Sequence, residues 1–236
     1  MSSIVIPPLK LDRIHKRFGN FAAVTDVSET FAPGELICII GPNGAGKSTL
    51  LNMICGTLPL SEGSISLGEV EIAGLVPERI ARLGIARKFQ VPSVFENLSV
   101  IDNLRLASSD GDHGAWLETV IQRVRLSDDR DVRGADLSHG KKQWLEIGMA
   151  LAMKPKVLLL DEPTAGLSVD ETRETARFLK ELAGNVTVIV IEHDMAFVRE
   201  LGGRTVVLHQ GKVIASGPFE TIEDNETVRD VYLGRR

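Results

Sequence analysis

At 236 residues the chain can bury one good core, or one core with a smaller subdomain. Its composition is that of a globular protein, 43% hydrophobic and 25% charged, and a formal net charge of −5 argues against the basic stripe of a nucleic-acid-binding domain. Two cysteines, Cys38 and Cys55, are too few for a disulfide framework; the N-terminal MSSIVIPPLK lacks the pattern of a secretory leader, and no apolar run approaches the roughly 18 residues of a membrane span. These features point to a reducing, cytoplasmic setting, with any membrane association made through a partner.

From Lys10 to Phe31 apolar and polar residues alternate in short segments, which reads as half-exposed antiparallel strands around a Gly19-Asn20 turn. Ala32-Pro33-Gly34-Glu35 turns the chain into the apolar run Leu36 to Ile40, the nine residues GPNGAGKST (Gly41 to Thr49) follow, and a helix is expected over Leu50 to Thr57. Ser64 to Leu67 and Val70 to Ile72 read as a hairpin about Gly68-Glu69, and Pro77 to Leu83 as a short helix. From Val91 the character changes: Gly and Asp cluster at Ser108 to Gly114, while Trp116, Leu117, Val120, Ile121 and Val124 recur at helical spacing. A helix from about Lys141 to Met153 returns the chain to the core. Val157 to Leu160 and Val186 to Ile191 are continuous apolar runs, as in parallel strands buried on both faces, and Asp170 to Ala183 between them forms a helix stopped by Gly184. A hairpin about Gln210-Gly211 and a polar helical tail complete the chain. The fold class expected is α/β, with residues 1–90 and 146–236 as core and 91–145 as an inserted helical subdomain.

The segment Gly41, Pro42, Asn43, Gly44, Ala45, Gly46, Lys47, Ser48, Thr49 stands between a strand and a helix, the context a phosphate-binding P-loop requires. Its glycines let successive backbone N–H groups close around a phosphate, Lys47 sets a cation against the outer phosphates, and Ser48 offers a hydroxyl to Mg²⁺. Asp161 and Glu162 end an apolar strand: the first suits Mg²⁺ held through water, the second a general base for attacking water. Leu137-Ser138-His139-Gly140-Lys141-Lys142-Gln143 precedes a helix, with Ser138 as its N-cap and Gly140 able to approach a phosphate; alone it is only a cap signal.

Taken together, these stretches resemble the ATP-binding-cassette (ABC) family over essentially the whole chain, with Leu137 to Gln143 similar to its signature loop, LSGGQ. His139 replaces the first signature glycine, and Lys141 stands where glutamine is usual. The resemblance implies a P-loop NTPase core with an antiparallel β subdomain and a helical subdomain, Phe18 stacking on adenine, Gln90 touching the metal and the attacking water, and His193 sensing the γ-phosphate. It also implies that Ala165-Gly166-Leu167-Ser168 passes nucleotide state between subunits. ATP and Mg²⁺ are the implied cofactors, and a head-to-tail dimer the implied assembly, each ATP lying between Lys47 of one subunit and Ser138 with Gly140 of the other. With no membrane span, such a subunit would drive separate transmembrane permease subunits on the inner face of the cell membrane, docked near Gln90 and Val91 to Leu98 and served indirectly by a substrate-binding protein.

Arg87 to Leu98, Lys142 to Met149 and Val231 to Gly234 resemble the branched-chain amino acid branch of bacterial importers, and within it the urea-type ATP-binding subunit; leucine, isoleucine and valine, or a short amide, are the other cargoes of that branch. ABC ATPases that power no transporter usually carry tandem cassettes, coiled-coil arms or basic surfaces, and a P-loop kinase would need an acceptor site and lid arginines. His15, His113 and His209 show no metal-ligand spacing, Trp116 and Trp144 read as packing residues of the helical subdomain, and Asp128 to Asp131 reads as a solvated loop.

Overall fold

In a computed structural model, residues 6–88, 94–108 and 114–233 are described. Two antiparallel strands open the chain, β1 (Leu9–Phe18) and β2 (Phe21–Phe31), followed by β3 (Leu36–Ile40), α1 (Lys47–Ile54), β4 (Glu62–Leu67), β5 (Val70–Glu71), α2 (Pro77–Leu83) and β6 (Ile85–Lys88). Then come α3 (Val100–Ala107), α4 (Ala115–Arg123), α5 (His139–Ala152), β7 (Val157–Asp161), α6 (Val169–Leu182), β8 (Thr187–Ile191) and α7 (Met195–Leu201). The chain ends through β9 (Arg204–His209), β10 (Lys212–Pro218), α8 (Phe219–Glu223) and α9 (Glu226–Leu233).

The strands form a four-stranded antiparallel sheet, β2-β1-β4-β5, and a six-stranded sheet, β10-β9-β3-β8-β7-β6, parallel except where β10 joins β9. Because side chains alternate across a strand, each buried strand serves two cores. Ile37 and Ile39 of β3, Leu159 of β7 and Ile189 and Ile191 of β8 pack toward the antiparallel sheet and α1. Cys38 and Ile40, Leu158 and Leu160, Val188 and Val190 face a second core shared with α3 to α7. This double burial is why β7 and β8 read as unbroken apolar runs while β1 alternates.

Several elements depart from the sequence reading. The loop helix starts at Lys47, not Leu50, because Gly46 takes the N-cap place in the left-handed region (φ 104) with no side-chain cap to announce it, and it ends at Ile54 with Cys55 as C-cap. β6 carries Arg87 and Lys88, whose charges are buried against Asp161 (3.0 Å) and Glu146 (3.3 Å), so no apolar run marks it. Helix α5 runs unbroken through the 145/146 boundary, and α3 to α5 share one hydrophobic core with the parallel sheet. The acidic run keeps Asp128 and Asp131 exposed, as expected, while residues 127–129 form a 3-10 turn in which Asp129 pairs with Lys141 at 2.7 Å, and Arg130 pairs with Glu118 at 2.9 Å. No helix among the described residues is long and apolar enough to cross a membrane.

Candidate functional site

The loops that leave the C-terminal ends of β3, β8 and β7, three neighbours in the parallel sheet, converge on one edge, where open α/β sheets bind ligands. After β3 the chain turns through Gly41 (φ 153), Gly44 (φ 79) and Gly46 (φ 104). Ala45 N donates to Pro42 O at 3.1 Å and Leu50 N to Gly46 O at 2.9 Å, closing the loop onto the start of α1. A Cβ on Gly46 would stand 2.6 Å from Ala23 O and one on Gly41 2.1 Å from Leu208 O, so both positions exclude a side chain. Lys47, nearly buried, donates from Nζ to Gly41 O at 2.6 Å and Pro42 O at 3.1 Å. Burial lowers its pKa below that of an ordinary lysine, against the upward pull of the Glu162 and Asp161 carboxylates.

Asn43 to Thr49, Phe18, Phe21, Ala23 and Glu162 line one cavity of about 290 Å³. Phe18 and Phe21 flank the Gly19-Asn20 turn, are 51% and 64% exposed, and give the cavity an aromatic wall; the Lys16 ammonium lies 5.2 Å from the Phe18 ring centre. Apolar faces at one end and a glycine-rich loop with a cation at the start of a helix at the other match a molecule with a flat base and an anionic tail. Phe21 was not singled out from sequence, although an aromatic directly after a turn that already presents Phe18 is a usable signal.

Asp161 ends β7 almost fully buried, its Oδ2 held by Arg87 Nη2 at 3.0 Å while Arg87 Nη1 donates to Asn52 Oδ1 at 2.5 Å. Glu162 sits at φ 48, its N–H bonded to Ile191 O at 3.0 Å, which turns its carboxylate out of the sheet toward the cavity. His193 Nδ1 lies 3.4 Å from Glu162 Oε1. The described residues contain no cluster of three or more His, Cys, Asp or Glu able to hold a metal alone. Of the oxygens expected to serve Mg²⁺, the Ser48 hydroxyl is exposed in the cavity lining, while the Asp161 carboxylate is buried and outside that lining; so sparse a donor set is of the kind that leaves substrate phosphates and water to complete a Mg²⁺ shell. Gln90, assigned to metal and water by resemblance, lies outside the described residues, as does the start of the expected docking stretch.

Ser138 and Gly140 are not among the residues lining the cavity. Ser138 caps α5, its Oγ accepting from Lys141 N at 3.3 Å. A Cβ on Gly140 would meet Glu171 Oε1 at 2.1 Å, so this glycine permits close packing against the start of α6. His139, at the departure from the usual glycine, donates from Nε2 to Ala165 O at 3.0 Å, and Lys141 is engaged by Asp129. Ser168 caps α6 in a reciprocal capping box with Glu171. Trp144 packs as expected, with Nε1 donating to Thr175 Oγ1 at 3.0 Å. Sequence reasoning also passed over Glu192, fully buried one residue beyond β8, where a carboxylate directly after four buried apolar residues, Val188 to Ile191, is the available signal.

Comparison with known proteins gives this geometry its family. The ABC transporter family model matches residues 24–165. The high-affinity branched-chain amino acid transport ATP-binding protein LivG of Escherichia coli (strain K12) is 35% identical over 97% of this chain and 98% of its own. The lipopolysaccharide export system ATP-binding protein LptB of Acidithiobacillus ferridurans is 34% identical over 96% of each. Among solved structures, MJ1267, an ATP-binding cassette of an ABC transporter, superposes with a TM-score of 0.88 at 28% identity, over 98% of this chain and 100% of that one. The chain belongs to the ABC transporter family and is an ATP-binding, ATP-hydrolysing subunit of it.

Proposed function

We propose that this ATPase couples ATP binding and hydrolysis to solute uptake by transmembrane permease subunits, and that the cargo is a branched-chain amino acid. The likeness that supports this is the 35% identity to LivG along nearly the full length of both chains. The near-equal identity to LptB, an export-system protein, fits a division of labour in which the cassette supplies energy and its partners choose the cargo. Urea, expected from the resemblance of Arg87 to Leu98, Lys142 to Met149 and Val231 to Gly234, and short amides, the alternative within that branch, enter as arms of the test.

In this reading the base of ATP stacks on Phe18 with Phe21 beside it, and Gly41 to Thr49 hold the phosphates. Lys47 neutralises charge on the outer oxygens, and Ser48 and Asp161 would hold Mg²⁺, which when bound would supply charge neutralisation for the phosphates. Glu162 orients the attacking water and takes its proton; His193, 3.4 Å away, steadies that carboxylate and reaches the γ-phosphate. Ser138 and Gly140, turned away from their own chain's cavity, serve the nucleotide of a second ATP-binding subunit, so the working unit is a dimer on the permease. Reconstituting the chain with its permease and substrate-binding subunits should give ATPase activity stimulated by leucine, isoleucine or valine. Stimulation by urea or amides alone would move the cargo, and robust activity with no complex formed would refute the transport role.

A further inference from the structure

Glu192 is 1% exposed and stands between the two segments that carry the proposed catalytic pair. Its Oε1 accepts from Thr164 Oγ1 at 2.6 Å and Thr164 N at 3.2 Å. Its Oε2 accepts from His193 N at 3.2 Å and lies 4.0 Å from His193 Nδ1. Glu162 is fixed from the other side, since Ala165 N donates to Glu162 O at 3.2 Å and Leu167 N to Thr164 O at 3.0 Å, in a tight turn that begins at a left-handed residue. One carboxylate therefore ties the chain leaving β7 to the chain leaving β8. Among the described residues no lysine or arginine pairs with it, and burial pushes its pKa above the ordinary glutamate value against the donors from Thr164 and His193. Burial with no countercharge disfavours the charged form of this carboxylate. Such a departure from good packing next to a reactive centre is a signature of function.

We propose that Glu192 is a positioning residue for ATP hydrolysis: by holding Thr164 and the His193 backbone together it sets His193 against Glu162, and it acts through His193 without touching nucleotide. The inference rests on the assignment of Glu162 and His193 made above. Glu192→Gln keeps the shape and one oxygen for Thr164 but sets an amide N–H against His193 N–H, so it releases His193 selectively.

The test is a double-mutant cycle on the full chain, with kcat, KM for ATP and Tm measured for the parent, Glu192→Gln, His193→Ala and the pair. The expected result is a kcat about 10- to 100-fold lower for Glu192→Gln, as for a small misplacement of catalytic groups, with KM within about two-fold and a Tm that leaves the variant folded at the assay temperature. In the His193→Ala background the same substitution should have no further effect. A parent-like kcat, a loss expressed in KM instead, or a loss that persists in full without His193 overturns the inference. A parent-like kcat for His193→Ala itself would instead remove the assignment on which it rests. Should Glu192→Gln not fold, Thr164→Val, which deletes only the 2.6 Å hydroxyl bond, carries the same expectation and the same refutation.

Discussion

Adding one methyl group at each loop glycine separates backbone strain from steric overlap, because the three sites differ in surroundings and not in chemistry. At Gly44 (φ +79) a Cβ meets nothing within 4 Å, so Gly44→Ala carries only the left-handed cost of about 1–2 kcal/mol. At Gly46 (φ +104) the same methyl stands 2.6 Å from Ala23 O, and strand β2 must yield. That seam is held by Thr25 N to Gly211 O at 2.8 Å and Gly211 N to Ala45 O at 2.9 Å, so yielding adds roughly 1–3 kcal/mol, the usual cost of overpacking. If the strained loop is the one that holds phosphate, these energies appear as lost affinity at about 1.4 kcal/mol per decade. Gly44→Ala then weakens ATP binding by about 5- to 30-fold and Gly46→Ala by about 30-fold or more. Gly41→Ala, with its methyl 2.1 Å from Leu208 O, should lower Tm as well. Titration calorimetry with ATP beside thermal unfolding reads both quantities. Equal affinities for Gly44→Ala and Gly46→Ala would refute the reasoning.

Burial lowers the Lys47 pKa, so its charge is lost as pH rises before that of an ordinary lysine; ATP affinity should decline on the alkaline side from a lower pH than exposed lysines titrate, and Lys47→Ala should bind weakly without that decline. Lys88→Met leaves Glu146 buried without its cation 3.3 Å away and should lose about 3–5 kcal/mol in denaturant unfolding, most of it recovered by adding Glu146→Leu. Ser168→Ala should lose about 1 kcal/mol of stability with the cap of α6. The Ser168 backbone and hydroxyl bonds hold the Glu171 pKa low, so the parent has this contribution above the ordinary glutamate range and loses it as pH falls through the lowered value; Ser168→Ala, which removes the hydroxyl bond and keeps the backbone one, should shrink that acid limb in part in unfolding measured against pH.

What the sequence made visible is what periodicity and local chemistry encode. The wholly apolar β3, β7 and β8 and the Gly-Lys-Ser loop were evident because double burial and phosphate binding each demand particular residues at each place. β6 was not, because Arg87 and Lys88 look like surface residues until Asp161 and Glu146 arrive from 74 and 58 positions away in sequence. Glu192 was hidden for a related reason, since its partners Thr164 and His193 come together only when β7 and β8 pair. Helices α3 and α7 were not singled out either: each is short, and the caps from Ser99 and Asp194 become legible only with the backbone in view. The acidic run is exposed at Asp128 and Asp131 as its composition suggests, but composition does not reveal that Lys141 lies within reach of Asp129.

The central claim is that Glu162, left-handed at the end of β7 and 3.4 Å from His193, drives hydrolysis of ATP bound at the glycine loop. Single-turnover hydrolysis by Glu162→Gln, with ATP affinity measured on the same sample, tests it most directly. The account predicts ATP bound as tightly as by the parent and cleaved about 100-fold more slowly or worse, the range for a lost general base. Cleavage at the parent rate would contradict it.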